Sequence, residues 1–340
     1  MVAVQTTIPA RNESGPDTPR ELRANHDRGD RRFVRVTLAT GIAVLAIMAA
    51  VGLFLGSDAI EALRVMGVRF LTTAEWQPDR AQFGIAAVML GTVLIALVAV
   101  SIALPISLGA SLFITEVASR RIRPVFIAVV DLMAAVPSIV YGLWGLFFFQ
   151  DRVIGLSRWL AHWLGWLPLF EVTGSDPGNP LSSPSVFTAS TFIAGIVVAL
   201  MVIPIQTSIM REVFSQVPPG EREGAFALGA SRWGMIRIVS LPFGRGGIIG
   251  GTMLGLGRAL GETIAVYLII SPRFDINFHV LEAGSNSVSS LIALRFGEAS
   301  GFGLSALMAA GLALFALTLV VNFTASIFVA RSRSGASSEA

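Results

Sequence analysis

The segment Pro218–Pro242 reads PPGEREGAFALGASRWGMIRIVSLP and separates two long apolar stretches of the chain. Its paired prolines predict the start of a short helix, because a proline at the first helical position gives up no intrahelical hydrogen bond. Gly229 predicts the end of that helix, Ser231 is a favourable N-cap for a second one, and Pro242 is expected to stop the second. We therefore expect a compact helix–glycine–helix knob at residues 219–241.

The knob combines an acid, small residues and large apolar side chains. These are Glu223; Ala225, Ala227 and Ala230; and Trp233, Met235 and Ile236. Apolar side chains that project outside a membrane core need a surface that covers them. A groove in a partner protein and the membrane surface are both possible from the sequence alone.

The composition is that of a polytopic membrane protein. Hydrophobic residues make up 54% of the chain and charged residues 14%, whereas soluble domains carry about 25% charged residues. All 25 basic residues are arginine, and a nucleotide-binding P-loop requires lysine. We therefore expect no ATPase site in this chain, and no enzymatic activity of its own. The absence of cysteine excludes a thiolate metal site, and we expect neither a metal nor a cofactor.

Hydropathy predicts an all-α membrane protein with six transmembrane helices. The apolar segments are 33–55, 84–115, 125–149, 187–209, 246–270 and 304–329, each near the ~20 residues that a bilayer requires. The second is long for one straight crossing, and Pro105 is expected to kink it. We expect a disordered polar tail at 1–32, a membrane domain at 33–330 and a short tail at 331–340.

Arginine placement predicts the orientation of these helices. With the N-terminus inside, 17 arginines fall in inner segments and seven in outer ones, and inner loops carry the excess of positive charge. Both termini are then cytoplasmic in a multi-pass plasma-membrane protein, and the arginines are orientation signals rather than nucleic-acid contacts. The loop 211–245, which contains the knob, lies inside, and the loop 150–186 lies outside.

Two outer segments show weaker patterns. Residues 156–167 carry tryptophans at helical spacing, which favours a helix at the lipid headgroups over one that binds a partner. Residues 271–303 predict a short helix at the outer mouth, with Arg295 and Glu298.

Arg258 lies near the middle of the fifth apolar segment, and Glu262 follows one helical turn later on the same predicted face. A charge at that depth costs about 2.5–3.5 kcal/mol on translocon scales, so both should face a polar interior. An ion pair that only braces helices is one interpretation. A path for an oxyanion, held by the guanidinium, is the other and the one we favour.

The third segment contains Asp131 and, after Pro137, Ser138. Asp131 is interpreted equally well as a partner of a basic group, as the cap of an exposed turn or as a pathway residue. The Ser138 hydroxyl could satisfy carbonyls that the proline frees or contact a passing anion, and the former is favoured.

The knob resembles the EAA loop of ABC-importer permeases. The matching positions include Glu223, Ala225, Gly229, Leu241 and Pro242, while Gly224 and Val239 depart mildly from the family pattern. The resemblance implies a coupling helix seated in a cleft of an ATPase subunit. Because Trp233 is a large apolar residue on the same knob, we expect it to take part in this docking.

Residues 60–330 resemble the PstC-type permeases of phosphate importers. The most specific stretch is Gly255–Val266, GLGRALGETIAV, supported by similar stretches at Phe70–Gly84, Pro137–Gly145 and Pro204–Phe214. The resemblance implies the type I ABC importer permease fold. It places transport residues at Arg258 and Glu262, beside Thr263. It also implies a PstA-type second permease, a PstB-type ATPase dimer and a PstS-type phosphate-binding protein.

The sequence thus predicts the membrane subunit of an ATP-driven phosphate importer. ATP binding in the partner subunits would move the knobs and reopen the helix bundle outward. A permease for sulfate, molybdate or tungstate is the alternative within the class. A secondary transporter driven by an ion gradient is the alternative outside it, although no inverted repeat is visible, and a signalling component is a weaker third.

Overall fold

A computed structural model describes residues 28–173, 176, 178–179, 182–299 and 301–333. The chain divides into two units, residues 1–51 and residues 52–340. In the first unit, every side chain from residue 29 to 51 is exposed on a single helix. That helix begins at Arg28, inside the predicted polar tail, and the preceding part of the tail lies outside the described residues.

The described residues are mostly helical. The helices are α1 Arg28–Met66, α2 Arg69–Thr72, α3 Ala86–Leu112, α4 Arg123–Ala135, α5 Ser138–Trp144, α6 Gln150–Leu164, α7 Thr191–Ser215, α8 Pro219–Ala227, α9 Arg232–Met235, α10 Leu241–Gly261, α11 Ile264–Ile269, α12 Val288–Arg295 and α13 Phe302–Arg333. Wider π-helical turns at Phe113–Val117, Gly145–Phe149 and Ile236–Ser240 extend or join them, and 3-10 turns lie at Pro78–Arg80 and Pro184–Phe187. A hairpin of two short antiparallel strands, β1 Trp76–Gln77 and β2 Gln82–Phe83, pairs Trp76 with Phe83.

Five helices among the described residues are long and apolar enough to cross a membrane. They are Gly29–Met66, Ala86–Val117, Ser138–Leu164, Thr191–Ser215 and Phe302–Ile327. The prediction of an all-α membrane protein is therefore confirmed, with the small hairpin as an addition. The predicted count of six spans is not confirmed, because the third and fifth predicted spans are both broken.

The third predicted span is displaced along the chain. Val136 is extended (φ −69°, ψ 127°), so α4 stops before Pro137 and a new helix runs from Ser138 to Leu164. Proline disfavours helical geometry in the residue before it, which accounts for the break. At ~1.5 Å per residue the 13 residues of α4 fall short of a bilayer core of about 30 Å. The long helix therefore includes the first part of the predicted outer loop, with exposed Trp159 and Trp163.

The larger core cluster is built on α7, packed against α3, α10 and α11. Glycines of α10 meet α7 directly: a Cβ atom on Gly244, Gly247 or Gly255 would lie 2.2–2.5 Å from side chains of α7. Small residues at these positions let the two helices approach closely. The pairing holds α10, which carries Arg258, against the most buried helix of the chain.

A second core cluster joins α1 and α13 to the hairpin and α12. Phe83 lies at its centre, with its ring edge-to-face against Phe70, Trp76 and Phe302 at centroid distances of 5.3–6.0 Å. On α12, Val288 and Leu291 are fully buried in the same cluster. This anchors α12, whose first turn reaches the charged residues of the fifth segment. The short helix expected in residues 271–303 is thus confirmed.

Candidate functional site: a charged helix break and the coupling knob

The fifth apolar segment is broken between its two charges. Helix α10 ends at Gly261, Glu262 is extended (φ −66°, ψ 128°), and α11 begins at Ile264. The prediction of a continuous helix with Arg258 and Glu262 on one face is therefore wrong. Nor does an ion pair join them in the part of the chain that the structure describes, because the break turns Glu262 away from the helix that carries Arg258.

Each charge lies instead at a helix end of favourable polarity. Arg258 is in the last turn of α10, where the helix dipole is negative. Glu262 precedes α11, and its Oε1 accepts a hydrogen bond of 3.4 Å from the backbone N–H of Ala265. Helix termini thus stabilise the two charges separately.

Hydroxyl groups satisfy carbonyls that the break frees. The Ser289 hydroxyl donates to the Glu262 carbonyl at 2.7 Å, and the Thr263 hydroxyl donates to the Gly261 carbonyl at 3.2 Å. Ser289 is in the first turn of α12, where the Val288 N–H also donates to the hydroxyl of Thr92 on α3 at 2.9 Å. Helix α12 therefore braces the break against α3.

The two charges differ in exposure. Glu262 is only 9% exposed, whereas the Arg258 side chain is exposed within this chain. The charge of Arg258 acts on Tyr141, whose hydroxyl donates to the Met133 carbonyl at 3.0 Å. Arg258 is thus an accessible cation beside the α4–α5 region, and Glu262 is a buried cap.

The two helices that start at breaks, α5 and α11, pack on each other. A Cβ atom on Gly142 would lie 2.9 Å from the Ala265 Cα atom, so only glycine allows this approach. Ser138 is half-buried at the start of α5, and Asp131 is exposed on α4. Neither side chain forms a hydrogen bond or ion pair with the described residues, so the structure does not bring them together with Arg258 or Glu262.

Gln206 was missed by the sequence reasoning. It is fully buried on α7, and its Nε2 and Oε1 atoms have no hydrogen-bond partner among the described residues. A Cβ atom on Gly255, one turn before Arg258, would lie 2.3 Å from Gln206 Nε2. A polar amide two residues after Pro204 in an otherwise apolar helix was the available signal.

The first helix of the knob is confirmed in detail. Helix α8 begins at Pro219 and is followed by Gly229 at φ +85°. The Ala230 N–H donates to the Ala225 carbonyl at 3.0 Å, and the Gly229 N–H donates to the Phe226 carbonyl at 2.9 Å. This is a Schellman ending, whose left-handed position favours glycine. Ser231 then caps α9 as predicted, accepting from the Gly234 N–H at 3.2 Å.

The second helix of the knob does not stop at Pro242. It runs from α9 through the π-helical turn 236–240 into α10 without interruption. Pro242 occupies the first turn of α10, and the wider preceding turn accommodates its missing N–H. The knob is therefore joined rigidly to the helix that carries Arg258.

The apolar surface of the knob also differs from the prediction. Met235 and Ile236 are buried at 3% and 6% exposure, because they face back toward the chain. The exposed apolar residues are Phe226, Leu228, Trp233 and Ile238. Of the other predicted coupling residues, Glu223 and Pro242 are exposed, and Ala225 and Leu241 are half-buried. The outward surface thus keeps Glu223, Gly229 and Trp233 and adds Leu228.

Comparison with known proteins identifies the family. Residues 103–334 match the model of the family described as binding-protein-dependent transport system inner membrane component. The phosphate transport system permease protein PstC of Haemophilus influenzae is 40% identical, over 88% of this chain and 92% of its own length. PstC 2 of Mycobacterium tuberculosis is 38% identical, over 88% and 91%.

A solved structure supports the same fold. A chain of a bacterial ABC transporter involved in the import of the acidic polysaccharide alginate superposes with a TM-score of 0.55 and 16% identity, over 90% of this chain and 99% of that one. With its helix pattern and knob, the chain therefore belongs to the inner-membrane component family of binding-protein-dependent transport systems, in the branch that contains the PstC permeases.

Proposed function

We propose that this chain forms the transmembrane path for inorganic phosphate in an ATP-driven importer. The observation that carries the proposal is Arg258, an exposed guanidinium in the last turn of α10 that has no carboxylate partner among the described residues. The alternative of a structural brace involves an Arg258–Glu262 ion pair, and no such pair is present among the described residues. The PstC relatives support phosphate as the anion.

The chemistry of the site suits transient binding. A guanidinium offers bidentate hydrogen bonds to a tetrahedral oxyanion. Glu262 is tied to the first turn of α11, so its carboxylate is not placed to occupy the guanidinium permanently. Thr263 and Ser138 supply hydroxyl groups near the two breaks, and Asp131 supplies an acid on α4. A cation without a carboxylate partner among the described residues can attract phosphate and release it.

The proposed assembly contains a PstA-type second permease, a PstB-type ATPase dimer and a PstS-type phosphate-binding protein. Exposed Arg258 requires a second membrane subunit to complete the path around it. The knob surface with Glu223, Leu228 and Trp233 would dock on the ATPase from the cytoplasmic side. Both termini are then cytoplasmic, lipid covers the outer helix faces, and the tryptophans of α6 lie at the outer headgroups.

Transport by the reconstituted complex tests the proposal. The four kinds of subunit are placed in proteoliposomes, and uptake of radiolabelled phosphate is measured with and without ATP at the ATPase face. We expect ATP-dependent uptake that excess unlabelled phosphate abolishes and sulfate, molybdate and tungstate leave intact. Uptake of one of those anions in place of phosphate, or gradient-driven uptake without ATPase subunits, would contradict the proposal.

A further inference from the structure

We propose that Glu116, Arg222 and Ser240 form a clasp that transmits movement of the knob to the membrane helices. The inference rests on the proposed function, because it concerns how ATP hydrolysis reaches the transport path. The three residues come from three separate parts of the chain. Their role is positional: they act through the helices that they join.

Glu116 is the centre of the clasp. It lies in the π-helical turn Phe113–Val117, which continues α3, and its side chain is only 4% exposed. Its Oε1 atom lies 3.1 Å from Arg222 Nη2 and accepts a hydrogen bond from the Ser240 hydroxyl, also at 3.1 Å. A carboxylate buried to this extent needs such partners to offset the loss of hydration. The end of α3 is therefore fixed to both helices of the knob.

Arg222 extends the clasp to a further helix. The same Nη2 atom donates to the Phe214 carbonyl at 2.7 Å, in the last turn of α7. A cation at a helix C-terminus is favoured by the dipole, and here Arg222 shares the Phe214 carbonyl with the backbone N–H of Val217. The Arg222 Nε atom is buried and has no partner among the described residues, so solvent screens this group poorly. One side chain thus joins α8 to the ends of α3 and α7.

Helix α8 has little else to hold it in place. It has no buried residue, so apolar packing does not anchor it. Neighbouring residues have opposite orientations: Arg222 turns inward to the clasp, and Glu223 and Leu228 are exposed. A force applied to the exposed face of α8 by a partner therefore reaches α3 and α7 through Arg222 and its partners.

The ratio of ATP hydrolysed to phosphate transported measures this transmission. In proteoliposomes of the full complex, Glu116→Gln and Arg222→Gln are expected to raise the ratio about tenfold, the usual scale of a coupling network. The matched control is Glu221→Gln, an exposed acid in the first turn of α8 without an ion pair among the described residues. It should keep the wild-type ratio.

Ser240→Ala keeps the proposal testable if the charge variants do not assemble. It removes one hydrogen bond and leaves the ion pair intact, so the complex should form with a smaller rise in the ratio. A wild-type ratio in Ser240→Ala and in every charge variant that assembles overturns the clasp, even if ATPase and uptake fall together. If the wild-type complex transports another oxyanion, the proposed substrate fails and the ratio is read with that anion.

A covalent link in place of the Glu116–Arg222 ion pair gives an independent test. It can be introduced selectively, because the chain has no cysteine of its own. The double variant Glu116→Cys with Arg222→Cys should show the raised ratio when reduced. Linking the two thiols with a short bis-maleimide should lower the ratio toward wild type, because the two segments are joined again. A linked protein that remains uncoupled would overturn the proposal.

Discussion

Arg258 and Glu262 lie at opposite helix ends on the two sides of the break, and this separates their roles. Glu262 caps α11 and is held through its carbonyl by Ser289, whereas Arg258 is exposed beside Tyr141. Exchanging the two charges would place a buried arginine where α11 needs an acceptor. A charge-swapped protein should therefore fail in assembly, and single substitutions are the informative ones.

Ser289→Ala tests whether α12 braces the break. Removing one hydrogen bond to a buried carbonyl costs about 1–3 kcal/mol, so we expect a lower unfolding temperature and slower phosphate uptake at an unchanged yield of complex. The matched control is Ser290→Ala, a buried neighbour whose hydroxyl forms no hydrogen bond with the described residues. Equal unfolding temperatures and equal phosphate uptake in the two variants would argue against the brace.

At the scale of elements, two prolines show what the sequence could predict. Pro137 breaks its helix because Val136 adopts an extended conformation, whereas Pro242 lies in the first turn of a helix that continues through a π-helical turn. The local rule, that proline disfavours helical geometry in the residue before it, is the same at both positions. Packing of Ser240 against Glu116, 124 residues away in sequence, accompanies the second outcome and has no local signature.

The difference between local and long-range interactions also explains which other sequence predictions were right and which were wrong. The glycine and serine that end and cap the knob helices act locally, and both were predictable. The burial of Met235 depends on long-range contacts, and so does the partner of Glu116. The break at Glu262 was missed because its stabilising hydroxyl, on Ser289, comes from another element.

Gly229→Val tests the geometry of the knob. The φ of +85° is unfavourable for a β-branched residue, at a cost of about 1–3 kcal/mol, so the two knob helices should lose their relative orientation. We expect ATP hydrolysis to become uncoupled from uptake while the membrane helices stay folded. Gly220→Val is the matched control, since both glycines face open space and only Gly229 has a positive φ. Normal coupled transport in a well-folded Gly229→Val complex would rule this geometry out.

At the scale of the whole molecule, the chain depends on partners for its energy source. It contains no lysine, and therefore no standard P-loop. The chain purified alone should show no ATP hydrolysis above the vesicle background, while the complete complex measured in parallel should hydrolyse ATP. Turnover that persists in the isolated chain after rigorous removal of ATPase subunits would contradict this division of labour.

Phosphate uptake by the Arg258→Gln complex tests the central claim most directly. A cation and an anion 4 Å apart attract by about 4 kcal/mol at an effective dielectric of 20. With each ~1.4 kcal/mol worth a factor of ten, uptake should fall by about two orders of magnitude or more.

The matched control is Arg245→Gln, an exposed arginine near the start of the same helix. Our account predicts that Arg258→Gln assembles and hydrolyses ATP but does not transport phosphate, while Arg245→Gln transports normally. Uptake near wild type in Arg258→Gln, or a loss of assembly in its place, would show that Arg258 supports the structure and does not contact the passing anion.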